Sequence, residues 1–240
     1  MTDTASDVPR AMPWVEARVV ATHDETPSAK TLRLALPAPS THRAGQHYIV
    51  RLTAPDGYQA SRSYSVASAP DGSNEIELTV ERLDNGEVST FLHDGLEVGD
   101  DIEVRGPIGG WFVWDGEMPA LLVGGGSGIV PLMAMLRLAR ATGRSELVQL
   151  ILSVRSPVDL YYAHELPGPE TAVVYSRVAP PGSARPPGRL TPDDLEGAVQ
   201  HDGTAYVCGS PPFADAASRL LVGLGVPVDR IRVERFGPSG

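Results

Sequence analysis

Hydrophobic and polar positions alternate over short segments in the first half of the chain, from Trp14 to about Ile108. This alternation is typical of strands with one buried face, because successive side chains of a strand point to opposite sides of its sheet. Clusters of proline, aspartate and glycine separate the segments and indicate tight turns. Short strands at this spacing favour a small antiparallel barrel or sandwich. The predicted strands are Ala17–Thr22, Thr31–Leu36, His47–Leu52, Ser63–Ala67 and Ile76–Arg82.

One helix is predicted to interrupt these strands. Ser89 belongs to the residue types that cap helices through a side-chain oxygen, and Phe91, Leu92 and His93 follow it. We therefore expect Ser89 to be the cap of a short helix that runs through His93.

The pattern changes between Asp115 and Pro119, after which apolar runs alternate with segments of helical periodicity. Ala120–Val123 ends in a glycine-rich loop, and Ile129–Thr142 then has helical spacing. Strands that alternate with helices form a parallel sheet with crossover helices. The sequence thus predicts an antiparallel β-barrel domain over residues 13–115 and an α/β domain with a doubly wound parallel sheet over residues 116–240. The remaining predicted strands are Leu147–Val154, Ala172–Tyr175, Thr204–Cys208 and Ile231–Val233, and the remaining helices are Asp159–Leu166, Thr191–Val199 and Pro211–Leu224.

Charge and cysteine content narrow the function classes. Thirty acidic and 20 basic residues give a net charge of -10, which argues against nucleic acid or an anionic membrane as the main partner. The single cysteine, Cys208, excludes a disulfide framework, a four-thiolate iron–sulfur cluster and a cysteine-rich zinc site. The six histidines have no metal-ligand spacing, so no metal is expected. No apolar run has transmembrane length and residues 1–13 lack signal-peptide features, so we expect a soluble, cytoplasmic protein.

The segment Arg62-Ser63-Tyr64-Ser65 carries the first candidate chemistry. Arg62 and Tyr64 lie two positions apart and therefore point to the same side of a strand. An arginine fork binds a pyrophosphate through two hydrogen bonds, and a tyrosine stacks on a flat heterocycle. By itself, the segment also fits a half-buried strand with a surface arginine.

Three segments in order resemble the flavin domain of the ferredoxin–NADP reductase superfamily: Arg62–Ser65, Val80–Thr90 and Gly106–Phe112. The resemblance implies that Arg62 binds the flavin pyrophosphate, Tyr64 stacks on the isoalloxazine and Ser65 hydrogen-bonds near its reactive nitrogen. FAD is expected rather than FMN. The same resemblance adds Ser63, Val80, Arg82, Gly86, Val88, Ser89 and Thr90 to the cofactor-binding set.

The loop Gly124-Gly125-Gly126-Ser127-Gly128 follows an apolar strand and precedes a helix, as in a dinucleotide-binding crevice. Its spacing is not the Gly-x-Gly-x-x-Gly fingerprint, and a tight turn without a ligand is the alternative. Gly124–Pro131 matches the nicotinamide-binding loop of the same superfamily throughout. The resemblance implies that Gly126, Ser127 and Gly128 approach the nicotinamide ribose and pyrophosphate, with Ser127 also near the flavin edge.

Two arginines follow predicted parallel strands. Arg155 follows the second strand, and Ser176-Arg177 follows the third. Arginine suits the 2′-phosphate of NADPH, whereas an NAD site usually offers a carboxylate, for which Asp159 is the nearest competitor. The family resemblance assigns both arginines, and Gly188-Arg189 after them, to this phosphate. We expect NADPH, with NADH as the alternative.

The carboxyl end resembles the superfamily in two segments. Cys208-Gly209 is similar to a segment that lies beside the reacting nicotinamide carbon, although Ser210 replaces a proline and a buried cysteine is ordinarily an apolar filler. Glu234–Gly237 is similar to a terminal strand that brings an acidic residue and an aromatic toward the flavin, which makes Phe236 a candidate for the face opposite Tyr64. The expected catalytic set is Tyr64, Ser65, Ser127, Cys208 and Phe236.

The function implied by the resemblance is hydride transfer from NADPH to FAD and electron release to a separate acceptor. A ferredoxin-like one-electron protein is the first expectation, although the net charge of -10 disfavours an acidic partner without a local basic patch. A reductase of free flavin or quinone is the alternative among enzymes. A non-catalytic redox-sensing or electron-transfer subunit is the alternative of another class.

Overall fold

An antiparallel sheet of six strands occupies the first half of the protein in a computed structural model that describes residues 12–166, 168–200 and 202–237. The strand order is β4-β3-β6-β1-β2-β5. A bridge between Val66, just after β4, and Leu78 of β5 joins the two edges, which makes the sheet a barrel and confirms that prediction. The strands are β1 Val15–Thr26, β2 Ala29–Ala35, β3 His47–Thr53, β4 Gln59–Ser65, β5 Glu75–Glu81 and β6 Asp101–Ile108.

The alternating pattern explains the barrel interior. Leu32 and Leu34 of β2 are fully buried, whereas Arg33 between them is exposed and pairs with Glu77 at 2.8 Å. Leu32 and Leu34 pack with Val50 in one hydrophobic core. This packing removes their hydrocarbon surface from water.

A short helix, α1 (Glu87–Thr90), and one wide turn (Phe91–Gly95) follow β5 and contribute Val88 and Leu92 to the barrel core. The predicted cap at Ser89 is wrong, because the helix begins after Gly86. The Ser89 hydroxyl is instead buried inside the helix, where it donates to the Gly86 carbonyl and accepts the Leu83 N–H. The Ser89 hydroxyl is therefore hydrogen-bonded to the turn before the helix and does not cap it.

A parallel sheet of five strands forms the second half, in the order β11-β10-β7-β8-β9. Leu122 and Cys208 face the core under helix α2, whereas Val123 and Val207 face the core under helix α4, so the sheet is covered on both sides and the doubly wound prediction is confirmed. The order reverses between β7 and β10, which creates a switch point at their carboxyl ends. The elements are β7 Ala120–Gly125, α2 Ile129–Ala141, β8 Val148–Val154, β9 Thr171–Tyr175, α3 Asp193–Glu196, β10 Thr204–Gly209, α4 Pro211–Gly223 and β11 Ile231–Arg235.

Two helix predictions in this half are wrong. Residues 160–166, where the sequence predicts a helix, form no helix: a 3-10 turn, Pro157–Asp159, ends before them, and Tyr162 has a φ of 54°. This left-handed backbone cannot continue a right-handed helix. The helix expected over residues 191–199 is reduced to α3, which Gly197 ends. Among the described residues no helix has the length and apolar character to cross a membrane, since α2 and α4 have 13 residues each.

The two halves share a core. Ala44 and Ala67 of the barrel pack in the same hydrophobic cluster as Met133 and Leu136 of α2. The segment between the sheets is held by the Trp114 N–H, which donates to the Ala44 carbonyl at 3.1 Å. The domain limits of 13–115 and 116–240 stay a prediction.

Candidate functional site

The end of β4 carries the first group of predicted site residues. Tyr64 is half-buried against the barrel core, and burial raises its pKa to about 12 although the charge of nearby Arg62 acts in the opposite direction. Arg62 is exposed and donates to the Ser61 carbonyl at 2.7 Å; no carboxylate of the described residues pairs with it. Ser65 is buried and Ser63 is exposed. A neutral ring beside an unpaired guanidinium suits a flat, anionic ligand.

The second predicted flavin segment contributes mainly its backbone. The side chains of Val80 and Val88 are buried in the barrel core, and that of Ser89 is engaged as described above. Arg82 is paired with Asp94 at 2.7 Å, so a role at the flavin requires that this exposed pair opens. The flavin roles of these residues stay predictions.

Gly86 and Thr90 line an open depression of about 510 Å³ at the start of α1. Glu87 and Asp94 also line it, so backbone N–H groups there have carboxylates for neighbours. The Gly86 and Thr90 N–H groups already donate to the Leu83 and Gly86 carbonyls, and a phosphate role for these two residues stays a prediction.

The glycine loop lies at the switch point between β7 and β10. A Cβ atom at Gly128 would lie 2.2 Å from the Cys208 carbonyl oxygen, so only glycine allows the loop to approach β10 this closely. Gly126 has a φ of +55° and faces open space, and Ser127 is half-buried beside it. The loop and the Cys208-Gly209 backbone thus lie side by side at the switch point. The nucleotide-binding roles of Gly126, Ser127, Gly128 and Gly209 stay predictions.

Cys208 of β10 lies in register with Glu234 of β11. Burial raises the pKa of the Cys208 thiol, and the charge of Glu234 raises it further, so the thiol stays protonated. Burial also raises the pKa of Glu234 to about 7, and its buried Oε2 has no hydrogen-bond partner among the described residues. The sequence placed Glu234 in the terminal strand but not in the site set, because only the register of β10 and β11 brings it to Cys208.

Phe236 follows β11 and is anchored beside the crevice. Its N–H donates to the Gly209 carbonyl at 2.9 Å, and its half-buried ring packs against the core under α2. Its predicted location on the flavin face opposite Tyr64 stays a prediction.

The predicted 2′-phosphate residues come together at the carboxyl ends of β8 and β9. The Arg177 N–H donates to the Arg155 carbonyl at 2.9 Å, and both side chains are exposed without an ion pair to any described carboxylate. The half-buried Ser176 lies between the two strand ends, where its N–H donates to the Val154 carbonyl. The competing carboxylate, Asp159, already accepts a hydrogen bond from Ser156 at 2.5 Å.

The loop after β9 adds a third cation. The Gly188 N–H donates to the Tyr175 carbonyl at 2.9 Å, which folds the loop back onto the strand and brings the exposed Arg189 to this end of the sheet. Three arginines at one edge of the sheet favour a phosphate dianion over a free hydroxyl.

Two domain profiles match this chain. Residues 16–113 match the oxidoreductase FAD-binding domain, and residues 122–219 match the oxidoreductase NAD-binding domain. The matched ranges contain the Arg62–Ser65 strand and the glycine loop, respectively.

Two curated relatives of this chain are named as reductase components. The chain is 30% identical over 239 residues to the propane 2-monooxygenase reductase component of Rhodococcus jostii (strain RHA1), with 92% of this chain and 63% of the relative covered. It is also 30% identical over 237 residues to the ferredoxin--NAD(P)(+) reductase component of the naphthalene 1,2-dioxygenase/salicylate 5-hydroxylase systems of Ralstonia sp, with 94% and 70% covered. The chain therefore spans less than two thirds of the first relative.

A solved structure extends the likeness to the fold. The ferredoxin reductase in carbazole 1,9a-dioxygenase superposes with a TM-score of 0.78 at 26% identity, with 96% of this chain and 71% of that chain covered.

Proposed function

The chain belongs to the ferredoxin–NADP reductase family of FAD- and NAD-binding oxidoreductases, and we propose from this premise that it takes hydride from NADPH onto FAD and passes the electrons to a separate acceptor protein. The two domain matches confirm the predicted FAD-binding and NAD-binding halves. The assignment of individual residues and the preference for NADPH are part of the proposal.

The observation that carries the proposal is the close approach of the glycine loop to Cys208. Gly128 and the Cys208 carbonyl meet at a separation that excludes a side chain at position 128, and this contact lies at the switch point of the sheet. Arg155 and Arg177 at the neighbouring strand ends offer unpaired cations for a phosphate. A dinucleotide laid across this edge would have its nicotinamide end at Cys208 and its adenosine end at the arginines.

FAD and NADPH, when bound, supply hydride transfer and one-electron release themselves. The protein contributes position, a dry environment and proton control. Arg62 would bind the pyrophosphate of the flavin, and Tyr64 would present a neutral ring to it because its pKa is about 12. The Ser65 hydroxyl, buried at the end of β4, would offer a hydrogen bond to the flavin ring.

On the nicotinamide side, Cys208 acts by shape. Its raised pKa keeps it a neutral thiol of small volume, and hydride transfer needs no nucleophile. Glu234 holds a proton up to about pH 7 behind this thiol. Phe236 is bound to the Gly209 carbonyl through its N–H, and its half-buried ring, packed on the core under α2, would limit the access of water on this side.

The proposed acceptor is a ferredoxin-like one-electron protein. The relatives named above are reductase components of oxygenase systems, and one of them is named as a ferredoxin reductase. A diffusible acceptor such as free flavin or quinone is the second candidate among enzymes. The alternative of a redox-sensing subunit is disfavoured by the complete crevice around Gly128, Cys208 and Glu234.

Two measurements test this function. Purified protein loaded with FAD should be yellow, and anaerobic NADPH should bleach its visible band. Under stopped flow, low concentrations of a ferredoxin should then reoxidise the reduced protein with saturation. A protein that binds no flavin after reconstitution overturns the proposal. Reoxidation by free flavin or quinone but not by ferredoxin would identify a diffusible molecule as the acceptor.

A further inference from the structure

Arg137 connects the two halves of the site. It lies on α2, the helix that directly follows the glycine loop, and its side chain is only 18% exposed. Its Nη1 donates to the Ala67 carbonyl at 3.0 Å and to Glu77 Oε2 at 2.7 Å, both in the barrel. Its Nε and Nη2 donate to the two carboxylate oxygens of Glu165, in the α/β half, at 2.9 and 2.5 Å.

The barrel partners of Arg137 belong to the flavin strands. Ala67 lies two residues after Ser65, and Glu77 is on β5, which continues to Val80. These partners are also joined to each other, because the Ala67 N–H donates to the Glu77 carbonyl at 2.7 Å. One guanidinium therefore holds the segment after β4 and the first half of β5 against α2, whose other end carries the glycine loop.

A second contact crosses the same interface. The Tyr162 hydroxyl is 2.5 Å from Thr79 Oγ1 on β5, and the Tyr162 N–H donates to Glu25 Oε2 at 2.9 Å. Arg137 lies over the Tyr162 ring, 5.1 Å from its centroid. The left-handed backbone at Tyr162 is a sparsely populated conformation, so these barrel contacts define it.

The ion pairs keep the buried Arg137 charged. Burial disfavours the charged guanidinium, but the hydrogen bond to Glu165 and the charges of Glu77 and Glu165 outweigh it and raise the pKa of Arg137. Removing one member of a buried, hydrogen-bonded ion group leaves the others uncompensated. Loss of Arg137 is therefore expected to disturb the contact between the barrel and α2.

We propose that Arg137 is a positioning residue for hydride transfer, which sets the distance between the segment that follows the flavin strand, at Ala67, and the nicotinamide loop at the start of its own helix. The inference rests on the proposed function. It assigns to a side chain outside the crevice the alignment that the reaction needs, since a misplacement of about 1 Å costs on the order of a hundredfold in rate.

Arg140 offers a matched control. It lies one turn further along α2 and is also partly buried, at 29% exposure. It donates to Glu170 and to the Glu165 carbonyl, which both belong to the α/β half. Arg140→Gln therefore removes a comparable ion pair without any contact to the barrel.

The experiment compares anaerobic reduction of FAD-loaded wild type, Arg137→Gln, Arg137→Lys and Arg140→Gln by NADPH under stopped flow. We expect the limiting reduction rate constant of Arg137→Gln to fall roughly tenfold or more, with the half-saturating NADPH concentration within about twofold of wild type. Arg137→Lys should recover part of the rate, and Arg140→Gln should stay near wild type. Equal rate constants in Arg137→Gln and Arg140→Gln overturn the inference.

A second variant covers a failure of Arg137→Gln to fold. Glu77→Gln removes a barrel partner and leaves the Glu165 pair intact, and Glu75→Gln on the same strand is its control. A slower limiting rate in Glu77→Gln alone supports the inference, whereas equal rates in both variants overturn it. A wild type that NADPH does not reduce overturns the proposed function itself, which separates the two failures.

Discussion

Cys208 and Glu234 lie opposite each other on neighbouring parallel strands, and the Glu234 carboxyl oxygen that is buried there has no hydrogen-bond partner in the described part of the chain. Both groups are easier to keep neutral than charged, because burial raises both pKa values and each negative charge would oppose the other. The pair therefore stores a proton beside the crevice. We therefore expect the stability of the protein to depend on pH through Glu234.

Glu234→Gln should flatten the pH dependence of stability. The folded protein keeps the Glu234 proton up to about pH 7, whereas the unfolded chain loses it near 4.5. The bound proton therefore contributes on the order of 3 kcal/mol to the free energy of unfolding below pH 4.5. This contribution is lost as the pH rises to 7. Urea unfolding at pH 5 and pH 8 measures it, with the exposed Glu196→Gln as control. Equal pH dependence in wild type and Glu234→Gln would contradict the raised pKa.

Gly128→Ala should destabilise the fold and disrupt the crevice. The new Cβ would meet the Cys208 carbonyl at 2.2 Å, and because this is backbone the strand or the loop must shift. A cost of about 1–3 kcal/mol is expected from such overpacking. Gly223→Ala in α4 is the control, since nothing lies within 4 Å of its Cβ. Thermal unfolding and NADPH titration measure both variants, and a neutral Gly128→Ala would argue against the close approach.

Replacing Arg155 and Arg177 with alanine should weaken NADPH far more than NADH. Both cations are unpaired among the described residues and lie at adjacent strand ends. Loss of charged hydrogen bonds to a phosphate is expected to raise the KM for NADPH by roughly 10- to 100-fold. Steady-state kinetics with both dinucleotides measure the effect, with Arg219→Ala as an exposed control. Equal changes for NADPH and NADH would remove the 2′-phosphate assignment.

Tyr64 should bind flavin through its ring rather than its hydroxyl. Tyr64→Phe keeps the flat face and is expected to retain FAD, whereas Tyr64→Ala should bind it about tenfold more weakly, since stacking and lost ring burial both contribute. Arg62→Ala should also lower the flavin content, and Arg18→Ala, which breaks an exposed pair with Asp101, should not. FAD content after gel filtration gives the readout. Full retention of FAD by Tyr64→Ala would exclude the stacking role.

The local patterns were enough to place most strands and the glycine loop. Alternation identifies Thr31–Leu36 because alternate positions of a strand face the core and the water, and β2 covers Ala29–Ala35. The loop at Gly124–Gly128 is visible because close backbone approach admits only glycine. The helix cap at Ser89 failed because its hydroxyl had a competing local acceptor at Gly86.

The sequence by itself determined the two sheet types, their order along the chain and the residue types of each half-site, because these follow from periodicity and from local backbone constraints. Only the tertiary structure decided which distant groups meet. The turn at Tyr162 depends on Glu25, 137 residues away, and the partner of Cys208 depends on the register of β10 and β11. The Arg137 contact to Ala67 spans 70 residues and has no periodic signal. Such contacts arise from the packing of one domain on the other, which no local pattern records.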